Sequence, residues 1–352
     1  MPDTQFLNSL LPDYWWFRTA HFMIADKMRV NGTILISEDQ DPADIVGYFN
    51  GEEVEVSAPT QDNYADRAFW FAPQHRRFGL SFDAPISAGA RSTTSCFAPR
   101  GIDTSTLVSG QFVDWKSLSP TPPVGNIERV SGKGATAYNY YNNGLTDYLR
   151  FTNVARAHGV EVSDPDTRVL DWGCGCGRLT RLLLDGAGNR ENVKGVDIDP
   201  DNIAWSAKHL SETAFSTVGL YPPTHFDDES FDLIIANSVL SHLKYQPTLD
   251  WIAEVARLLR PGGVALLSYH GDFSTAAVTS NNIDFARRVN TEGFNCDLPA
   301  GELEGLVSDN EYYRQTFMSD AKAAELFGTS LTLKEVHKGI VSRYQNVAVL
   351  TK

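Results

Sequence analysis

The sequence predicts two units of different class: an antiparallel, sandwich-like β unit over residues 1–125, then a doubly wound α/β unit over residues 126–352. Three observations carry this expectation. Asn-Gly pairs sit between β-prone runs in the first part, a short-range hairpin signal. The second part alternates continuous apolar strands with helical patterns, as a parallel sheet covered on both faces requires. Between them, Ser117-Leu118-Ser119-Pro120-Thr121-Pro122-Pro123-Val124-Gly125 has the Pro-rich, polar character of a linker.

In the first unit, Met28–Ile36 and Ile45–Val56 enclose Asn31-Gly32 and Asn50-Gly51, and each pair is expected to turn a hairpin. Ala68-Phe69-Trp70-Phe71 and Phe78-Gly79-Leu80-Ser81-Phe82 read as further strands, with alternating aromatics half in the core and half on the surface. The apolar stretch Tyr14-Trp15-Trp16-Phe17, with Phe22-Met23-Ile24, is expected to pack on this unit, through which a homodimer is also expected.

In the second unit, Leu145–Phe151 reads as a helix ahead of the first core strand. That strand is Val169-Leu170-Asp171-Trp172, followed by Gly173-Cys174-Gly175-Cys176-Gly177 and another helix, so backbone can approach a ligand closely between strand and helix. About twenty residues on, Val193–Asp197 reads as a second buried strand ending in a carboxylate, the spacing at which an acid meets ribose hydroxyls. Asp199 and Asp201 precede Asn202–Lys208 as helix caps. Phe231–Ala236 is a continuous apolar strand that runs into Asn237-Ser238, and Arg260-Pro261-Gly262-Gly263 separates a helix from the next strand, Val264–His270. Residues 271–328 read as an insertion whose aromatics, Tyr312 and Tyr313 among them, suit a pocket wall. Leu331–Val336 and Asn346–Leu350 close the chain as an antiparallel pair of strands.

Composition narrows the function classes. A formal net charge of -14 without a basic cluster disfavours nucleic acid as a partner. No run approaches the ~18 apolar residues of a membrane span, so no membrane insertion is expected. Four cysteines and a non-basic amino terminus suit a reducing, cytoplasmic setting. Cys174 and Cys176 lack the spacing of a zinc or redox pair and read as small residues in a tight turn. Asp227-Asp228-Glu229 precedes a strand, at the sheet end away from the expected site, so no metal is expected.

The dinucleotide fingerprint Gly-x-Gly-x-x-Gly fails, because its third glycine falls on Arg178 or Thr180 in the two registers. The tripled Gly-x-Gly-x-Gly preceded by Asp171 resembles motif I of the class I S-adenosylmethionine-dependent methyltransferases. Together with Leu220-Tyr221-Pro222-Pro223 and Ser238–Leu243, it looks like a bacterial branch associated with small-molecule and polysaccharide chemistry. The resemblance implies a Rossmann-like seven-stranded sheet and S-adenosyl-L-methionine as cofactor. It places Asp171, Gly173, Cys174, Gly175 and Gly177 on the methionyl part, Asp197 on the ribose, Ile198 on the adenine face, and Asn237 with Ser238 near the sulfur. Tyr138, Tyr140 and Tyr141 are lid candidates, with Tyr140 the one assigned to the cofactor.

The expected acceptor is a sugar or small-molecule hydroxyl, deprotonated by His242 or His270, which follow the fourth and fifth strands of the sheet. Two other readings stay open: a catalytically silent fold serving as a binding or scaffold module, and an NAD-dependent oxidoreductase.

Overall fold

The computed structural model describes residues 5–279, 282–300 and 312–352. Its amino-terminal part contains α1 (Gln5–Ser9), β1 (Tyr14–Ile24), β2 (Lys27–Ser37), β3 (Ile45–Phe49), β4 (Glu52–Val54), α2 (Asn63–Ala68), β5 (His75–Pro85), β6 (Ser92–Pro99) and β7 (Ser109–Phe112). The strands form two antiparallel sheets, β1-β2-β5 and β4-β3-β6-β7. In β5, residues 78, 80, 82 and 84 are buried in the alternation of a half-covered strand. Their side chains join Val30, Ile34, Ile36, Phe49 and Phe97 in one apolar cluster between the sheets.

Two sequence expectations fail here for physical reasons. Asn50-Gly51 does turn the β3–β4 hairpin, with φ of 52° and 86°. Asn31-Gly32 does not turn. It lies inside β2, paired with Ala20 and Thr19 of β1, and the reversal falls at Ala25, φ 57°. Gly32 is needed for space, since a Cβ there would meet the Phe97 ring at 2.5 Å. The expected strand at 68–71 is the end of α2 and a turn. Asp62 caps that helix through the Tyr64 and Ala65 amides, and Phe69 and Phe71 are buried with Leu7, Leu35 and Phe273.

The remaining chain runs α3 (Val124–Ser131), α4 (Ala137–Ala157), β8 (Val169–Trp172), α5 (Thr180–Gly186), β9 (Val193–Asp197), α6 (Pro200–His209) and β10 (Phe215–Thr217). It continues through β11 (Phe231–Ala236), α7 (Tyr245–Leu258), β12 (Leu259–Tyr269), α8 (Asp272–Thr279), α9 (Ile283–Glu292), β13 (Phe294–Leu298) and β14 (Gln315–Met318). It ends with α10 (Asp320–Phe327), β15 (Thr332–Val341) and β16 (Gln345–Thr351). Seven strands make one mixed sheet in the order β10-β9-β8-β11-β12-β16-β15, parallel except for β16, which is antiparallel to both neighbours.

Strands β8 and β11 are buried throughout. Leu170, Trp172, Ile234 and Ala236 pack toward α7 and α10, while Val169, Leu233 and Ile235 pack toward α4 and α5. The strand order reverses between β8 and β11, which opens a crevice beyond their carboxyl ends. The Pro-rich segment is fixed rather than loose: Tyr141 Oη donates to the Leu118 carbonyl at 2.9 Å and Arg181 to that of Pro120 at 3.1 Å. No helix among the described residues is long and apolar enough to cross a membrane.

Candidate active site

A cavity of about 290 Å³ fills the crevice at the carboxyl ends of β8, β9, β11 and β12. Of the residues singled out in the sequence, Asp171, Gly173, Cys174, Gly175, Asp197, Ile198, Asn237, Ser238, His242 and His270 all line it. Chain topology brings them together across 100 positions, since each lies at or beyond the carboxyl end of a strand of the same sheet edge.

The floor is the glycine turn. The Gly173 and Cys174 amides donate to the Val196 carbonyl at 2.8 and 3.0 Å, and the Gly175 amide donates to Asp197 Oδ2 at 2.7 Å. Gly173 has φ 76°, and a Cβ there would overlap Val239 Cγ2. The turn therefore serves the cavity by leaving room, while its amides hold the ends of β8 and β9 together. Gly177 does not line the cavity; a Cβ at this position would meet Leu210 at 2.6 Å, so it is required for packing against the end of α6.

Two carboxylates, Asp171 buried and Asp197 half-buried, face the cavity from adjacent strands. Asp171, 1% exposed, accepts a hydrogen bond from Thr180 Oγ1 at 2.6 Å. Burial pushes its pKa up to about 7, against the opposing Thr180 bond and Arg178 charge. Asp197 is pushed up to about 6 by burial, with the Asp199 and Gly175 amides acting in the other direction. Asp199 caps α6 through the Asp201 and Asn202 amides and pairs with Arg129 at 2.7 Å, which brings α3 over the cavity.

The sequence reading missed a polar layer beneath this floor. Arg178 pairs with Asp147 at 3.0 Å, and Asn237 Nδ2 donates to the same carboxylate oxygen at 2.8 Å. Arg178, the residue at which the dinucleotide fingerprint fails, adjoins Gly177 and lines the cavity. Ser238, at φ 66°, is held by the Ser268 hydroxyl at 2.6 Å and by Gln345 at 2.9 Å. A non-glycine residue in that conformation stores strain that the surrounding bonds must offset.

The two histidines differ. His270, 4% exposed, approaches the Thr316 carbonyl at 3.0 Å through Nδ1, so Nδ1 carries the proton and donates. Its Nε2 is then a lone pair, and among the described residues nothing bonds to it. Burial, then the neighbouring His242, lowers its pKa to about 3. His242 instead stacks flat on Tyr313, ring centroids 4.7 Å apart.

The lid tyrosines are placed otherwise than expected. Tyr140 is fully buried and donates to the Cys176 carbonyl at 3.0 Å, bracing the turn from behind without reaching the cavity. Tyr138 and Tyr141 bond to Gln111 and Leu118. Tyr312 and Tyr313 from the insertion, and Tyr344 from the β15–β16 turn, line the cavity instead. Tyr344 gave no local signal, because a hairpin turn has no preference for an aromatic. Away from the cavity, His158, Glu335 and His337 also meet, with ligand atoms within 4.8 Å of one another. The sequence reading, which expected no metal, gave these histidines no role.

A family model described as a methyltransferase domain matches residues 169–263. The ribosomal protein L11 methyltransferase of Burkholderia mallei is 35% identical over 137 residues, covering 38% of this chain and 42% of that protein. Its namesake from Ralstonia nicotianae is 34% identical over 104 residues, covering 30% and 32%. The chain thus spans less than half the length of these curated relatives. Among solved structures, magnesium protoporphyrin IX methyltransferase from Synechocystis PCC 6803 is 17% identical at a TM-score of 0.43, over 65% of this chain and 94% of that one. The expectation of a sugar or small-molecule acceptor is overturned by the curated relatives, which are named for a protein substrate. Strand and glycine spacing encode the cofactor edge of such a fold, and they carry no information about what approaches from the other side.

Proposed function

We propose, from the premise that residues 169–263 belong to the methyltransferase domain family, that this chain transfers the methyl group of S-adenosyl-L-methionine to a nucleophile on a protein. The observation that carries the reading is the meeting of Asp171 and Asp197 over one cavity, at the ends of adjacent strands, with a glycine turn between them that side chains would fill. That donor set fits the cofactor: carboxylates for an ammonium and a ribose, space for a close backbone approach, and apolar Ile198 and Val218 for an adenine face. The bound cofactor supplies an electrophilic methyl carbon on a sulfonium.

The chain's own contribution is alignment. Asp171 holds the methionyl end, Asp197 the ribose, and Asn237 and Ser238 border the approach to the sulfur. Holding a nucleophile in line supplies on the order of 7 kcal/mol. His270 meets the need for a group that receives the nucleophile's N–H or O–H, since it borders the cavity and its buried Nε2 lone pair has no hydrogen-bond partner among the described residues. With a pKa near 3 it is neutral throughout the physiological range, so it orients the acceptor and is a weak base. The acceptor class comes from the relatives' name, with ribosomal protein L11 as the first candidate. Cys96, Cys174 and Cys176 are free thiols, in keeping with a reducing cytoplasm.

Calorimetric titration with S-adenosylhomocysteine, beside an Asp197→Asn variant, tests the cofactor. Micromolar binding that weakens at least tenfold in the variant is expected, and no binding by the wild type refutes the reading. Transfer of labelled methyl to purified L11 or to a ribosomal protein fraction tests the acceptor. Cofactor binding without labelled protein refutes that part alone.

A further inference from the structure

A second cavity, of about 100 Å³, lies between the amino-terminal sheets and the mixed sheet, bounded by Tyr14, Trp15, Trp16, Phe273, Arg150 and Arg343. We infer that it binds a small oxyanion, of the size of phosphate or sulfate, against the two guanidinium groups. Arg150 is 3% exposed and Arg343 is half-buried, so the cavity wall holds two positive charges. Neither arginine has a carboxylate within ion-pair distance among the described residues. Asp147, the acid whose charge Arg150 feels, is already held by Arg178 at 3.0 Å.

Both groups are hydrogen-bonded, but only to neutral partners. Arg150 donates to the carbonyls of Val108, Leu107 and Ile340. Arg343 donates to the Trp16 carbonyl at 3.1 Å and the Ser109 hydroxyl at 3.3 Å, and its guanidinium lies 3.9 Å from a Trp16 ring centroid. Those bonds satisfy donors without cancelling charge, and a buried charge without a counter-ion is costly. Burial lowers Arg150 to about 10, and burial, then the Arg150 charge, lowers Arg343 to about 9. Both remain cations at neutral pH.

In a chain of net charge -14, this is a place where positive charge is concentrated and uncompensated. Planar guanidinium groups match the oxygens of phosphate or sulfate. The volume excludes a nucleotide. The same turn that carries Arg343 sends Ser342 and Tyr344 into the first cavity, so the bound oxyanion fixes one wall of the candidate active site.

The test uses the full chain without cofactor, which keeps it independent of the methyltransferase reading. Thermal unfolding is followed in about 10 mM phosphate, in sulfate, and in chloride at matched ionic strength. Phosphate and sulfate are expected to raise the wild-type Tm by roughly 3 °C or more over chloride, and Arg343→Gln removes that response. Thr106→Glu places a carboxylate at the cavity wall. It is expected to raise Tm in chloride and to abolish the phosphate response, which keeps the inference testable should Arg343→Gln fail to fold. Equal wild-type Tm in phosphate and chloride, or a phosphate response undiminished in Thr106→Glu, overturns it.

Discussion

Asp171 makes the apoprotein's stability depend on pH in the direction opposite to a salt-bridged acid. Its pKa is about 7 in the folded chain against an ordinary value of 3.8, so between those values the folded state binds a proton that the unfolded state has lost. Stability then falls as pH rises, by about 1.4 kcal/mol per unit. From pH 5 to pH 7 the loss from this one group is about 2 kcal/mol, approaching 3 by pH 8 and levelling off above it. Asp171→Asn removes the titration while an amide oxygen can still accept from Thr180 Oγ1. Urea unfolding of the cofactor-free protein at pH 5, 6, 7 and 8 reads the effect: the wild type should lose stability across this range and the variant should lose about 3 kcal/mol less. The same substitution should weaken S-adenosylhomocysteine binding most at pH 8, where the wild-type carboxylate is charged. Parallel stability profiles for the two proteins between pH 5 and 7 would refute the assignment of a raised pKa to Asp171.

Further outcomes follow from the packing. Gly32→Ala sets a methyl group 2.5 Å from the Phe97 ring in the sandwich core and should destabilise by about 2 kcal/mol in denaturant unfolding. Gly173→Ala should abolish S-adenosylhomocysteine binding by calorimetry. Adding Val239→Ala should recover part of the loss, because it relieves the clash but leaves φ 76°. Tyr140→Phe should cost about 1 kcal/mol, for the lost bond to the Cys176 carbonyl, and change cofactor affinity less than about threefold. His270→Gln should lower kcat by roughly a hundredfold without altering the shape of the pH–rate profile between pH 5 and 8, since the imidazole is neutral throughout; a limb lost from that profile would assign it a titrating role.

The cavity edge was legible because local rules write it. A strand that ends in an acid, glycines where side chains do not fit, and a second acid about twenty residues later are short-range consequences of placing backbone against a ligand. Asp171, Gly173, Gly175, Asp197 and Asn237 accordingly line one cavity at the end of these strands, and their contacts to a cofactor are the proposal made above. Gly32 shows the limit of the same logic. Asn-Gly reports a permissive backbone, but whether the permission is used for a turn or for an aromatic neighbour depends on a residue 65 positions away.

What the sequence determined by itself is the seven-stranded α/β unit, its glycine turn and the ligand edge, because apolar periodicity and backbone sterics act over a few residues. Tertiary structure alone decided the rest. It turned Tyr140 inward and brought Tyr344 to the cavity, gave Arg178 its partner in Asp147, fixed the tautomer of His270 through Thr316, and set Arg150 beside Arg343. Each of these depends on which side chains distant in the chain share a low-dielectric interior, where unpaired charge and unmet hydrogen bonds cost most.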